Sequence, residues 1–312
     1  MERRQLGPTA SDVGVVGLGT GSWPTSMDVS DGIACVRMLI EAGGDLIDVN
    51  ADRPRWEFAG QVLAASGLRS ETFVSVRSSG GPSRRELLAG LDRVLAGLNV
   101  DHVDLWTMRG WDARLPWEEC LAALTLAVTS GRVHYVGVEP TMPWQAGVIG
   151  AALAVHPGRT PLAAVTARQS LLERAHHNDV EGVSSAVGAS VIAISPLAGG
   201  VLTGKYRHGT PADSRGASER DGAHLQRYRA AWSRPIVDGL MAAADGLGSS
   251  PGALALAWAR EQPGVCCTVV GVRTVHQWRA ALASADIRLP SEISAVLDDV
   301  SARAAGWDTT DV

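Results

Sequence analysis

Asp48, Arg77, Arg109, Glu139, Arg168 with Gln169, Ser195, and Gly271 with Arg273 each stand at or just past the end of a short apolar run. A guanidinium stays protonated at neutral pH and presents a planar fork of donors that binds carboxylates or phosphates bidentately. It cannot give up a proton, so arginines supply charge and orientation but no general acid. Nearby cations favour the ionised form of a carboxylate, which makes Asp48 and Glu139 candidate bases. This set suits an anionic substrate, or an enolate or oxyanion formed from one. The chemistry it suits is proton abstraction, elimination, cyclisation or isomerisation without net redox. The same residues also fit a closed ion-pair network, Asp48 with Arg77 and Glu139 with Arg109, that fills the space and does nothing more.

Tryptophans accompany these charges. The chain has ten Trp but only two Phe and three Tyr. Trp23, Trp56, Trp111 and Trp144 fall in or beside the segments that follow the apolar runs, where such residues either line a pocket or pack in the ordinary way; Trp23, Trp56 and Trp111, with Arg168 and Gln169, are candidate walls of a pocket for an aromatic ligand. Trp106 and Trp258 lie inside element patterns and read as core.

The elements that must position these residues follow from hydrophobic periodicity. Apolar runs occur at 13–19, 45–49, 72–77, 102–108, 133–139, 163–169, 190–195 and 266–272. Amphipathic stretches alternate with most of them; one opens at Ser83 with Glu86 three residues on, a capping box. Strands that are apolar on both faces and alternate with helices imply a parallel sheet. Eight of them in a chain of 312 residues imply a closed (β/α)8 TIM barrel, read here as a single domain over 1–312. In such a barrel the chemistry sits at the carboxyl ends of the strands, where the charges above fall. The irregular stretch 206–233 is too long for a plain connection and is expected to be a lid or binding loop.

Composition removes several classes. The net charge of −5 and the absence of a basic patch argue against nucleic acid. No apolar stretch has the length of a membrane span, and the N-terminus has no apolar signal core. Four cysteines and eight histidines show no metal-ligand spacing, so no metal is expected. The cysteines read as buried thiols of a reducing cytoplasm. His176 and His177 read as part of a polar loop before a helix.

The segments "RRQLGPTASDVGVVGLGTGSW" (3–23), "HVDLW" (102–106), "GRVHYVGV" (131–138), "SPLAGGVLTGKY" (195–206) and "GVRTVHQWRAAL" (271–282) together resemble the bacterial aldo-keto reductases. The resemblance runs to about residue 300 and implies the same barrel, with an N-terminal β-hairpin and a long loop after strand 7. It implies hydride transfer from NADPH to a carbonyl, by an Asp, a Tyr proton donor, a Lys and a His. Carried over position by position, Asp48 is retained, Arg53 stands at the Tyr, Arg77 at the Lys and Arg109 at the His. No tyrosine occurs before Tyr135. The Ser-Asn pair that holds the nicotinamide reads Glu139 and Pro140. The strand 6 glutamine reads Thr166, and the stacking aromatic reads Gln169. The far end of the cofactor site is kept: Ser195, Leu197, Gly199 and Lys205 match the pyrophosphate loop. Gly271 leads into Arg273, Thr274 and Gln277, which match the grip on the 2′-phosphate, while an adenine-contacting asparagine reads Ala281.

A standard carbonyl reductase is therefore not expected. The reading that follows is a redox-neutral enzyme for an anionic or aromatic small molecule, of the kind found in secondary metabolism. Its alternatives are an NADPH-dependent reductase with an unusual proton donor, and a catalytically inactive protein that binds NADP(H) or a metabolite. NADP(H) is either held through the retained phosphate-binding segments or excluded by the altered nicotinamide end. A monomer or weak oligomer is expected, with no nucleic-acid or membrane partner.

Overall fold

A computed structural model describes residues 1–23, 27–50, 53–78, 83–110, 116–155, 160–174 and 177–302. Strands β1 (Arg3–Gln5) and β2 (Asp12–Gly14) form an antiparallel hairpin. Eight parallel strands then close into a barrel: β3 (Val16–Gly19), β4 (Leu46–Val49), β5 (Phe73–Arg77), β6 (Val103–Arg109), β7 (Val133–Glu139), β8 (Leu162–Arg168), β9 (Ser190–Ile194) and β10 (Val265–Gly271). Neighbours in space are neighbours in sequence, and β10 closes on β3. The (β/α)8 barrel, the hairpin and the long loop after the seventh barrel strand stand as read from the sequence.

Between the strands run α1 (Val29–Glu41), α2 (Arg53–Ser66), α3 (Arg84–Leu98), α4 (Trp117–Thr129), α5 (Pro143–Ala154) and α6 (His177–Val187). After β9 come α7 (Glu219–Gln226), α8 (Arg234–Gly246) and α9 (Pro251–Glu261), and after β10 α10 (Val275–Ala283) and α11 (Ser291–Ser301). The capping box at Ser83 and Glu86 starts α3. Helix α2 carries no clear apolar stripe and opens on Arg53 and Pro54, which is why periodicity does not reveal it. The apolar run 13–19 is two elements. Gly14 belongs to the hairpin, where a Cβ would meet Gly44 Cα at 2.8 Å, and the barrel strand starts at Val16.

Three apolar clusters hold the fold. One consists of strand and hairpin residues and fills the barrel, with Leu6 of the hairpin beneath Leu46, Leu105, Ile192 and Cys267. The hairpin plugs the amino-terminal end of the barrel: Arg4 donates to the carbonyls of Arg260 (2.6 Å) and Val265 (2.7 Å). A second cluster packs the barrel against its helices. The third joins Tyr206, Leu225 and Tyr228 of the long loop to Leu240, Trp258 and Leu297. Each such buried side chain contributes about 1.5–3 kcal/mol, which fixes the 206–233 stretch over the carboxyl end of the barrel. All four cysteines are buried thiols outside any disulfide. Among the described residues no helix is long and apolar enough to cross a membrane.

Candidate functional site

The strand register sets the charges side by side. Gly19 pairs with Asp48, Asp48 with Ser75, and Arg109 with Glu139. Asp48 is 3% exposed and accepts from Arg77 Nη2 at 2.9 Å and Ser75 Oγ at 3.4 Å. Arg77 Nη1 reaches Glu139 Oε2 at 3.6 Å, and Arg109 Nε reaches the same oxygen at 3.2 Å. Four charges of alternating sign thus run across β4, β5, β7 and β6. Burial alone would push the Arg77 guanidinium down, but Asp48 and Glu139 reverse this and hold it above its ordinary value.

The network is not self-satisfied. Glu139 Oε2 and Arg77 Nε are buried and have no aligned hydrogen-bond partner among the described residues. Arg109 is half exposed, and its backbone is fixed by a 2.9 Å bond from its N–H to Ser78 Oγ.

These side chains line a cavity of about 290 Å³ together with Asn50, Arg55, Arg168, Ser195, Arg215 and Tyr228. Arg55 donates to the Gly21 carbonyl at 2.7 Å. Arg168 lies 3.9 Å from Glu173. Glu173 also accepts from Arg227 at 2.9 Å and from the Tyr228 hydroxyl. Burial, then the Glu173 charge, push the Tyr228 phenol up to about 12, so it is a protonated donor at neutral pH. The Arg215 guanidinium has no hydrogen bond or ion pair to any described residue. It reaches across the mouth, where a Cβ on Gly271 would lie 3.4 Å from its Nη2.

A second chamber of about 310 Å³ shares Ser195, Gly199, Arg215 and Gly271 with the first. Leu197, Lys205, Arg273 and Gln277 also line it. Its floor is a loop of positive φ: Ser195 (57°), Ala198 (47°), Gly199 (66°) and Gly200 (94°). Only glycine adopts such angles freely, and the strained Ser195 and Ala198 mark a loop held for a purpose. Thr274 does not line the chamber. It is the N-cap of α10, accepting from Gln277 N at 3.2 Å, while Gln277 Oε1 accepts from Arg273 N at 2.9 Å. Lys205, Arg215 and Arg273 beside a helix N-terminus form a donor set that suits phosphates.

The candidate residues are thus sorted by position. Asp48, Arg77, Arg109, Glu139 and Arg168 meet in the first chamber, and the phosphate-type residues apart from Thr274 meet in the second. Thr166 and Gln169 are 3% and 4% exposed and line neither chamber, so Gln169 is not a pocket wall. Trp23 and Trp56 are corrections as well. Trp23 is buried: its backbone N–H donates to the Thr20 carbonyl at 2.9 Å, and its ring packs edge-on against Phe58, with ring centroids 5.6 Å apart. Trp56 fills the seam between α2 and α3, where a Cβ on Gly97 would lie 2.4 Å from its ring. Trp111 and the side chain of Arg53 lie outside the described residues, as do the side chains of the His176–His177 pair.

Asn50, Arg55, Arg215 and Tyr228 are the polar lining residues of the first chamber that sequence reasoning missed. The signal for Arg215 and Tyr228 was the expected lid itself: a charged or phenolic side chain in a loop over the strand ends faces the site. Arg55 falls in the helix that periodicity does not reveal.

The chain matches the model of the aldo/keto reductase family over residues 15–302. It is 30% identical to the probable voltage-gated potassium channel subunit beta of Oryza sativa subsp. japonica, over 97% of this chain and 96% of that protein. It is 32% identical to the uncharacterized oxidoreductase YrpG of Bacillus subtilis (strain 168), over 70% of this chain and 63% of that protein. It is likewise 32% identical to L-glyceraldehyde 3-phosphate reductase of Escherichia coli O157:H7, over 63% of this chain and 57% of that protein. With the barrel, the hairpin and the positive-φ loop, these matches establish that the chain belongs to the aldo/keto reductase family.

Proposed function

We propose that this chain is an enzyme that binds a small organic anion in the arginine-lined chamber and moves a proton on it without net redox. The observation that carries the reading is the charge of the lining: five guanidiniums (Arg55, Arg77, Arg109, Arg168, Arg215) face two carboxylates (Asp48, Glu139). Glu173 adds a third carboxylate just outside, against Arg168. Among the described residues the Arg215 guanidinium makes no hydrogen bond or ion pair and Arg109 is half exposed, so their donors are open to a bound anion.

The roles follow from exposure and partners. Asp48 is buried and holds Arg77 in place. Arg77 and Arg109 bind the substrate carboxylate and the enolate or oxyanion that forms from it. Glu139 lies between them and is the base. The proton passes from the substrate carbon to Glu139 and returns to another atom of the substrate, which completes an isomerisation.

The second chamber fits the phosphate end of NADP(H), through Lys205, Arg215, Arg273, Gln277 and the Ser195–Gly200 loop. When bound, that cofactor supplies hydride transfer. The residues that resemblance assigns to its nicotinamide end, Glu139, Thr166 and Gln169, do not repeat the family's pattern. A monomeric or weakly associating cytoplasmic enzyme, folded as one unit over 1–312, completes the reading.

Proton exchange tests it. Phenylpyruvate, an aromatic carboxylate with an acidic C–H, is incubated with the protein in D2O and followed by NMR, with NADPH absorbance monitored in parallel. Enzyme-dependent deuterium uptake, lost in Glu139→Gln and without NADPH consumption, is the expected result. NADPH-dependent reduction of the ketone would overturn it in favour of a reductase that draws on another donor.

A further inference from the structure

We infer that His102, Asp104 and His134 form a zinc-type divalent metal site at the amino-terminal end of the barrel, opposite the arginine chamber. No local spacing announces it: His102 and Asp104 enter β6, and His134 is the second residue of β7. The register brings them together. Val103 pairs with Val133 and Leu105 with Tyr135, so Asp104 and His134 lie side by side between those pairs.

Among the described residues, one ligand atom from each of the three lies within 4.8 Å of the others. His134 Nδ1 is 3.4 Å from Asp104 Oδ1. That is long for an N–H···O hydrogen bond. It matches the edge of a tetrahedral centre, where ligands about 2.1 Å from the metal stand about 3.4 Å apart. The rings of His102 and His134 are 4.5 Å apart, centroid to centroid, and the His102 imidazole makes no hydrogen bond to any described residue.

The donors are also held in place. Asp104 Oδ2 accepts from Val74 N at 2.8 Å and pairs with Arg69 at 3.0 Å, which leaves Oδ1 turned to the imidazoles. Arg69 bonds the His102 carbonyl at 3.1 Å with the same guanidinium. Secondary partners of this kind orient a metal-binding carboxylate. Two imidazoles and one carboxylate oxygen suit Zn2+, with a fourth position open to water. At the amino-terminal end of a barrel such a centre acts on stability: it would pin the entry of β6 and β7 to the Arg69–Glu71 turn.

The test is calorimetric titration of untagged, chelator-treated protein with Zn2+, with melting curves in the presence and absence of the ion. Wild-type protein should take up a single tight equivalent and melt at a higher temperature with zinc. His102→Ala and His134→Ala should keep the fold by circular dichroism and lose both effects. NADPH binding should be unchanged throughout. Absence of uptake by the wild type would overturn the assignment, and uptake and melting shift that persist in both variants would overturn it and leave an adventitious ion only.

Discussion

Asp48→Asn should destabilise the protein strongly, and Arg109→Gln should barely do so, although both break an ion pair in the same network. Asp48 is 3% exposed and lies 2.9 Å from Arg77. At that separation two unit charges attract by about 6 kcal/mol at an effective dielectric near 20. Desolvation offsets much of this in the folded protein, but removing one partner leaves the other charge buried, at a cost of about 3–5 kcal/mol. Glu139 stays 3.6 Å from Arg77 and retains part of the attraction, which places Asp48→Asn near the lower end, about 3 kcal/mol. Arg109 is 49% exposed, so solvent screens its 3.2 Å contact with Glu139 and the loss is at most about 1 kcal/mol. Urea unfolding followed by tryptophan fluorescence measures both, provided the m-values match wild type. The roles assigned here are refuted if Asp48→Asn costs under about 1 kcal/mol, or if Arg109→Gln costs as much as Asp48→Asn. The second outcome would make Arg109 a structural member of a closed network rather than a binding group.

Three further outcomes are expected. Arg273→Ala should weaken NADPH binding at least about tenfold by calorimetry, the worth of one charge-assisted hydrogen bond, while unchanged affinity would remove Arg273 from the phosphate site. Gly199 holds φ +66°, and a Cβ there would lie 2.1 Å from Leu225 Cδ2, so Gly199→Ala should unseat the 206–233 loop and expose it to limited proteolysis; an unaltered digestion pattern would show that the loop is not anchored through this contact. Hydrogen bonds from Arg4 and Arg288 hold Glu2 at about 2 against its ordinary 4.5. A lowered folded-state pKa contributes stability that is present above 4.5 and lost as pH falls toward 2. Glu2→Gln should therefore lower stability slightly at neutral pH and flatten the acid limb of the stability curve in that window, and an acid limb identical to wild type would show that the contacts are too weak to matter.

The fold was legible because the barrel strands are buried along most of their length and four in succession, β5 to β8, end on a charged residue. Val103 to Met108 followed by Arg109 shows the pattern at its clearest: the strand is buried, and its charge emerges where the loop begins. Helix α2 was not legible, since its packing comes from Trp56 meeting Gly97 rather than from an apolar stripe. The same contact explains why Trp56, read as a pocket wall, lies elsewhere: an aromatic near a loop can as well be the first large residue of a helix. Trp23 misled in the same way, because its ring is buried against Phe58 of α2. The acidic and basic strand ends were found, yet their pairing depends on register, which places Glu139 between two arginines from different strands. Arg215 and Tyr228 come from a stretch without periodicity, so only tertiary packing through Leu225 and Tyr206 brings them over the barrel.

A small organic anion in the arginine-lined chamber is what the proposed function requires. The most direct test is calorimetric titration of wild-type and Arg109→Gln protein with phenylpyruvate at low ionic strength. Saturable binding to the wild type is expected, with binding at least about tenfold weaker in Arg109→Gln. No heat of binding at millimolar ligand, or equal affinity in the two proteins, would contradict it.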